Sequence, residues 1–207
     1  DPVNGCPWDK VQTHTSIRMN FLEEAYEAVD ALDLDDPVLM CEELGDVLMQ
    51  VAFHTCMEQE TGRFTWEQVC DGVCQKLIER HPNIFGTQPG YEGITDWDAL
   101  KNKEKGRRTL ADDLESVPRA MPALMRAAKL QKRAARHGAA LQGADAAALA
   151  DAAENLQTAQ PASAQAEQAV GELLFAAANL ARQAGVDPEQ ALQKANEAFC
   201  TAAGPVA

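Results

Sequence analysis

The sequence predicts an all-α protein, and three observations carry that prediction. Apolar residues recur at steps of three and four along most of the chain, the repeat of one helix face. No stretch alternates with the two-residue period of a half-buried strand. The breaks between periodic stretches hold residues that stop or start helices: Pro37, Gly62, Thr65, Pro82 and Pro188.

In chain order, GCPWD at 5–9 is an irregular entry. A helix is expected over 15–32, where Ile17, Phe21, Ala25, Ala28 and Leu32 share a face. Asp35-Asp36-Pro37 ends it, because Asp favours turns and proline cannot continue a helix. Proline suits a first helical turn, so the next helix is expected over 37–60, with Met40, Leu44, Val47, Leu48, Val51 and Thr55 as its stripe and Gly62 as its stop. Thr65 is an N-cap with Gln68 completing a capping box. The helix it opens is expected to bury Val69, Val73, Leu77 and Ile78 and to end before Pro82. A Gly- and Pro-rich loop, FGTQPGYEG, leads to a short helix over 97–105. A boundary is expected within 106–118, giving a first domain of 1–110 and a second of 111–207.

Past that boundary, 119–137 reads as a basic amphipathic helix carrying Arg119, Arg126, Lys129, Lys132, Arg133 and Arg136, expected to pack on the acidic first half or to face solvent, with phosphate binding the lesser alternative. Residues 139–169 are rich in Ala and Gln, so helices are expected there with weak packing. Two more helices are expected over 170–200, broken at Gly185-Val186-Asp187-Pro188.

The chemistry-bearing stretch is 22–46, LEEAYEAVDALDLDDPVLMCEELGD. Glu24 and Glu27 form one carboxylate pair three residues apart, and Glu43 and Asp46 form another. Residues so spaced lie on one helix face. A short break makes the two helices antiparallel neighbours, so both pairs face one space. Carboxylates gathered beside apolar stripes repel one another and resist desolvation. A divalent cation removes that conflict, and oxygen-only ligands point to Mg2+ or Mn2+ rather than zinc. The alternative is a set of solvated acids.

Lys76 and Arg80, four apart on one face of the third helix, are candidates for the far oxygens of a polyanion bridged by such an ion. On spacing alone they equally describe an exposed basic face. Trp97, just ahead of a basic run that includes Lys101, could stack on a base or simply pack. His54 reads as a packed or interface histidine, and His14 and His81 have no ligand spacing. A di-iron carboxylate bundle needs Glu-x-x-His, which the chain lacks.

Composition narrows the partners. A formal net charge of −14 disfavours nucleic-acid polymers and anionic membranes. No apolar run approaches a membrane span and no signal-peptide pattern is visible. The six cysteines sit mostly in helical patterns, without zinc-ribbon spacing, and read as reduced thiols of a cytoplasmic protein. The chain begins at Asp1 without Met, as a trimmed piece of a longer protein would.

The two halves also resemble each other. EELGDVLMQVAFHTCMEQETGRFTWEQVCDGVCQKL parallels QAVGELLFAAANLARQAGVDPEQALQKANEAF, and LEEAYE parallels LADAAE at 149–154. In this alignment Glu43 becomes Ala169, Asp46 becomes Glu172, Lys76 becomes Ala198 and Arg80 becomes Ala202. The second copy is therefore degenerate, and one metal site per chain is expected.

CPWDKVQTH at 6–14, LEEAYEAVDA at 22–31, EELGDVLMQVAFH at 42–54, GRFTWEQVCDGVCQKLIERHPNIFG at 62–86, Trp97 with Lys101, and PALMRAAKLQKRAA at 122–135 together resemble the MazG family of nucleoside triphosphate pyrophosphohydrolases. The resemblance is close up to about residue 137. It implies tandem all-α bundles, metal ligands at Glu24, Glu27, Glu43 and Asp46, and nucleotide contacts at Glu23, Lys76, Arg80, Trp97 and Lys101. It also implies a homodimer and Mg2+-dependent hydrolysis of nucleoside triphosphates to monophosphate and pyrophosphate, with Glu23 a candidate for orienting or deprotonating the attacking water. A non-catalytic nucleotide-binding module built on the same acidic cluster is the alternative.

Overall fold

The computed structural model describes residues 3–82, 84–86 and 97–204, without the side chains of 97–99 and 103. Among the described residues there is no strand, and the chain divides into two compact helical units, Asp1–Thr95 and Asp96–Ala207.

In the first unit a short 3₁₀ turn at Asp9–Val11 precedes α1 (Asn20–Asp33), α2 (Pro37–Glu60) and α3 (Trp66–Arg80). Helix α1 starts later than the apolar pattern suggests. The hydroxyls of Thr13 and Ser16 bond the local backbone, Ser16 N–H donating to Thr13 Oγ1 and Ser16 Oγ–H to Thr13 O, which holds a turn in place of a helix. Asp35 then turns the chain in the left-handed region at φ 53°, a conformation Asp tolerates. The Asp36 carboxylate accepts from the N–H groups of Val38 and Leu39, and Pro37 fills the first turn of α2. Phe21 packs on His54 and Glu24 meets Gln50, so contacts run backwards along α2 as they run forwards along α1: the pair is antiparallel.

Helix α2 ends at Gly62, φ 71°, and the expected Thr65–Gln68 capping box opens α3. The third helix buries none of its residues, contrary to the expectation for Val69, Val73, Leu77 and Ile78. Their stripe points away from the single-chain core. The N-terminal segment is tied to α2 by an edge-on Trp8–Phe53 contact and by a polar chain. His14 Nε2 lies 2.6 Å from Glu58, its Nδ1 is within hydrogen-bond distance of His54 Nδ1 at 2.7 Å, and Arg63 grips the same Glu58 at 2.6 Å.

The second unit holds α4 (Trp97–Glu104), α5 (Leu110–Glu115), α6 (Ala123–Arg136), α7 (Ala146–Thr158), α8 (Ala164–Gln183) and α9 (Pro188–Ala203). Asn102 on α4 hydrogen-bonds Asp113 on α5, which brings α4 into this unit and sets the division upstream of the compositional change. The basic helix α6 packs on α5, α8 and α9 of its own unit. Two of its cations, Arg133 and Arg136, are structural. Asp113 is fully buried, with Arg133 at 3.0 Å, Arg136 at 3.0 Å and His137 at 3.1 Å. Burial alone would raise the Asp113 carboxyl, but hydrogen bonds from Asn102, His137 and Arg136 and the charge of Arg133 outweigh it and hold it below its usual 3.8.

The weak packing expected over 139–169 is not observed. Helices α7 and α8 pack together, and Ala152 on α7 and Ala169 and Ala176 on one face of α8 are essentially inaccessible to solvent. Alanine lets helix backbones approach, so the small side chains that looked like poor anchors are what makes the contact tight. No helix among the described residues is long and apolar enough to cross a membrane, and all six cysteines are free thiols.

Candidate metal centre

The α1–α2 hairpin gathers Glu24 and Glu27 from one helix and Glu43 from the other, with one oxygen of each within 4.8 Å of the others. Glu24 and Glu43 are half-buried and Glu27 is exposed. Among the described residues no Lys or Arg is ion-paired to any of the three. The strain is visible at Glu43. Partial burial, then the negative charges of Glu27, Asp46, Glu42 and Glu24, push its carboxyl above the usual 4.5. Asp46, half-buried on α2, is near enough for its charge to act on Glu43 but stands outside the group of three.

The donor set suits a hard cation. Magnesium–oxygen bonds of about 2.1 Å place opposite ligands about 4.2 Å apart, so carboxylate oxygens spaced within 4.8 Å need only small rotations. All three donors are anionic oxygens, and no imidazole or thiol joins the group among the described residues.

The other expected residues are placed as follows. Glu23 is exposed on α1. Lys76 is exposed and Arg80 half-buried on α3, in the same unit as the carboxylates, and Lys76 forms no ion pair with them. Lys101 is exposed on α4 in the other unit. Trp97 opens α4, and its side chain lies outside the described residues.

One site residue escaped the sequence reading. Gln50, 5% exposed, stands on the α2 face of Glu43 and Asp46 and donates from Nε2 to Glu24 Oε1 at 3.4 Å. Its spacing from Asp46, one helical turn, was a usable signal, but among apolar neighbours it reads as one more core position.

Among the described residues the protein is all-helical, with a hairpin that gathers three carboxylates. Its relatives narrow that description. The MazG nucleotide pyrophosphohydrolase domain matches residues 12–85, which include all four carboxylates. The chain is 41% identical over 208 residues to the nucleoside triphosphate pyrophosphohydrolase of Escherichia coli K12, covering 96% of this chain and 79% of that protein. It is 39% identical over 197 residues to the nucleoside triphosphate pyrophosphohydrolase/pyrophosphatase MazG of Thermotoga maritima, covering 94% of this chain and 76% of that one. A nucleoside triphosphate pyrophosphohydrolase of Mycobacterium tuberculosis is 38% identical over 136 residues, 64% of this chain and 41% of its own length. The chain belongs to the MazG nucleotide pyrophosphohydrolase family.

Proposed function

We propose that the protein hydrolyses nucleoside triphosphates to the monophosphate and pyrophosphate with Mg2+, which Mn2+ can replace. The observation that carries this reading is the convergence of Glu24, Glu27 and Glu43 in a chain of this family. These three, with Asp46 beside them, would hold the cation. Once bound, it would shield the phosphate oxygens and acidify a water. Glu23, exposed next to Glu24, is the candidate to orient that water and take its proton. Lys76 and Arg80 would offset charge growing on the phosphates, and Trp97 and Lys101 would contact the nucleotide.

The working form in this reading is a homodimer in the cytoplasm. Leu44 and Leu48 on α2 and Val73, Leu77 and Ile78 on α3 are each at least 40% exposed in the single chain. A stripe of that kind is an interface rather than a solvated surface. In the same reading the second unit carries a degenerate copy of the first. The turn between α7 and α8 repeats the left-handed residue, Ala162 at φ 56°, followed by an N-cap, Ser163, just as Asp35 and Asp36 do between α1 and α2.

The decisive experiment compares Mg2+-dependent pyrophosphate release by the wild type and Glu43→Ala. Loss of release with an unchanged helical circular-dichroism spectrum supports the assignment. Equal release by the two proteins removes it.

A further inference from the structure

Among the described residues, Gln50 is the buried polar side chain that meets the carboxylate cluster. Its Nε2 faces Glu24 Oε1, and a carboxylate oxygen can only accept, so the amide orientation is set by chemistry. Its Oε1 is then left buried with no hydrogen-bond partner. A half-satisfied amide in a helix seam is a poor structural choice, since an apolar side chain of like volume would pack there with no orphaned atom. The α7–α8 hairpin has an apolar residue at that position, though a smaller one. At the same offset from Gly171 as Gln50 has from Gly45 stands Ala176, fully buried. The same hairpin has Ala169 where the first has Glu43. The buried amide and the clustered carboxylate are present together in one hairpin and missing together in the other.

We infer that Gln50 is a positioning residue for Glu24. Its amide N–H holds one carboxylate oxygen and thereby presents the other to the shared space between Glu24, Glu27 and Glu43. The neutral donor offsets part of the mutual repulsion of the three acids without forming an ion pair that would compete with a cation. Lys or Arg in its place would neutralise Glu24 outright, and a water in its place would leave the carboxylate free to rotate. The inference rests on the metal-site reading and deepens it: the amide supports the ligand from behind, as hydrogen-bond partners of metal ligands do.

The test is Mn2+ binding to the full chain, without nucleotide, followed by electron paramagnetic resonance. Glu43→Ala serves as the control for the site itself. Gln50→Met, close in shape and lacking the amide, is expected to weaken Mn2+ binding by about tenfold to a hundredfold while its melting temperature holds or rises. Gln50→Ala, the residue the second hairpin uses, provides a second variant if methionine perturbs folding. In a Glu24→Gln background the Gln50→Met substitution is expected to add no further loss, because its effect passes through Glu24. Wild-type Mn2+ affinity in a folded Gln50→Met protein, where Glu43→Ala has lost binding, overturns the positioning role alone. Losses that simply add in the double variant overturn it too. Mn2+ binding that survives Glu43→Ala overturns the metal site and the inference with it.

Discussion

The α1–α2 and α7–α8 hairpins share a backbone plan and differ in what they enclose. Each turns through a left-handed residue, Asp35 or Ala162, and restarts on a side-chain cap, Asp36 or Ser163. Each second helix is followed by a left-handed glycine, Gly62 or Gly185, before a capped third helix. Yet α2 buries Gln50, Thr55 and Glu58, while α7 buries Ala152 and α8 buries three alanines with one polar residue, Asn179. The acids that remain on the second hairpin, Asp151, Glu154 and Glu172, are all exposed, and among the described residues they form no cation-binding group. One helical hairpin can thus be held by either interior. Ala176 stands buried where the first hairpin has Gln50, so the shared backbone plan does not itself require the buried amide.

The largest expected effect separates the two acidic sets. Glu43→Ala should lower pyrophosphate release by more than about a hundredfold, beyond the span of a lost supporting partner. Glu172→Ala, at the position matching Asp46, should leave release unchanged. Equal losses in the two variants would mean the second hairpin is no passive copy.

Next is the buried network around Asp113 in the second unit. Asp113→Ala leaves Arg133, 5% exposed, without its carboxylate. Removing one partner of such a pair should destabilise the second unit by about 3–5 kcal/mol, read as an earlier urea transition. A shift of a few tenths would show the network to be solvated. Leu48→Glu tests the apolar stripe of α2 and should turn a dimer into a monomer in sedimentation. A monomeric wild type would instead show that the stripe serves another partner.

Acidification should resolve the units in order. His54 faces His14 from the N-terminal segment and Phe21 from α1, and Glu58 and Arg63 complete the chain on α2 and its exit. Partial burial, then the charge of His14, hold the His54 imidazole below its usual 6.5. Between the folded value and 6.5 the unfolded chain binds more protons, so stability rises with pH there. The contribution is complete above 6.5 and is lost as pH falls through the folded value. Asp113, held below 3.8, withholds its loss until far stronger acid. Residue-resolved hydrogen exchange should therefore show α2 opening before α6 as pH drops. The reverse order would overturn the assignment of these groups.

The smallest effect concerns the shared turn. Ala162 occupies a left-handed conformation that costs a non-glycine residue about 1 kcal/mol. Ala162→Gly should recover about that much in a thermal melt. Asp35→Gly should gain less, because Asp tolerates the conformation.

Much of this arrangement was legible from residues within a turn or two of each other. Asp36-Pro37 and Gly62 bound α2 over the span its pattern suggests, and Thr65 with Gln68 starts α3 where expected. The start of α1 was misjudged because Thr13 and Ser16 divert the backbone by short-range bonds that an apolar pattern does not report. Helix α5, six residues long, is too short for periodicity to reveal, although its Thr109–Asp112 capping box was there to be seen. The inward face of the basic helix α6 was invisible because Arg133 reads as surface until Asp113 is placed beside it.

Helix boundaries, turns and the spacing of the carboxylates follow from backbone chemistry that each stretch carries alone. The meeting of Glu24 and Glu27 with Glu43, the settling of Gln50 beneath them and the closure of the second hairpin on alanine do not. They depend on how far one helix is rotated and slid against another, which packing across the whole seam decides and no local pattern encodes.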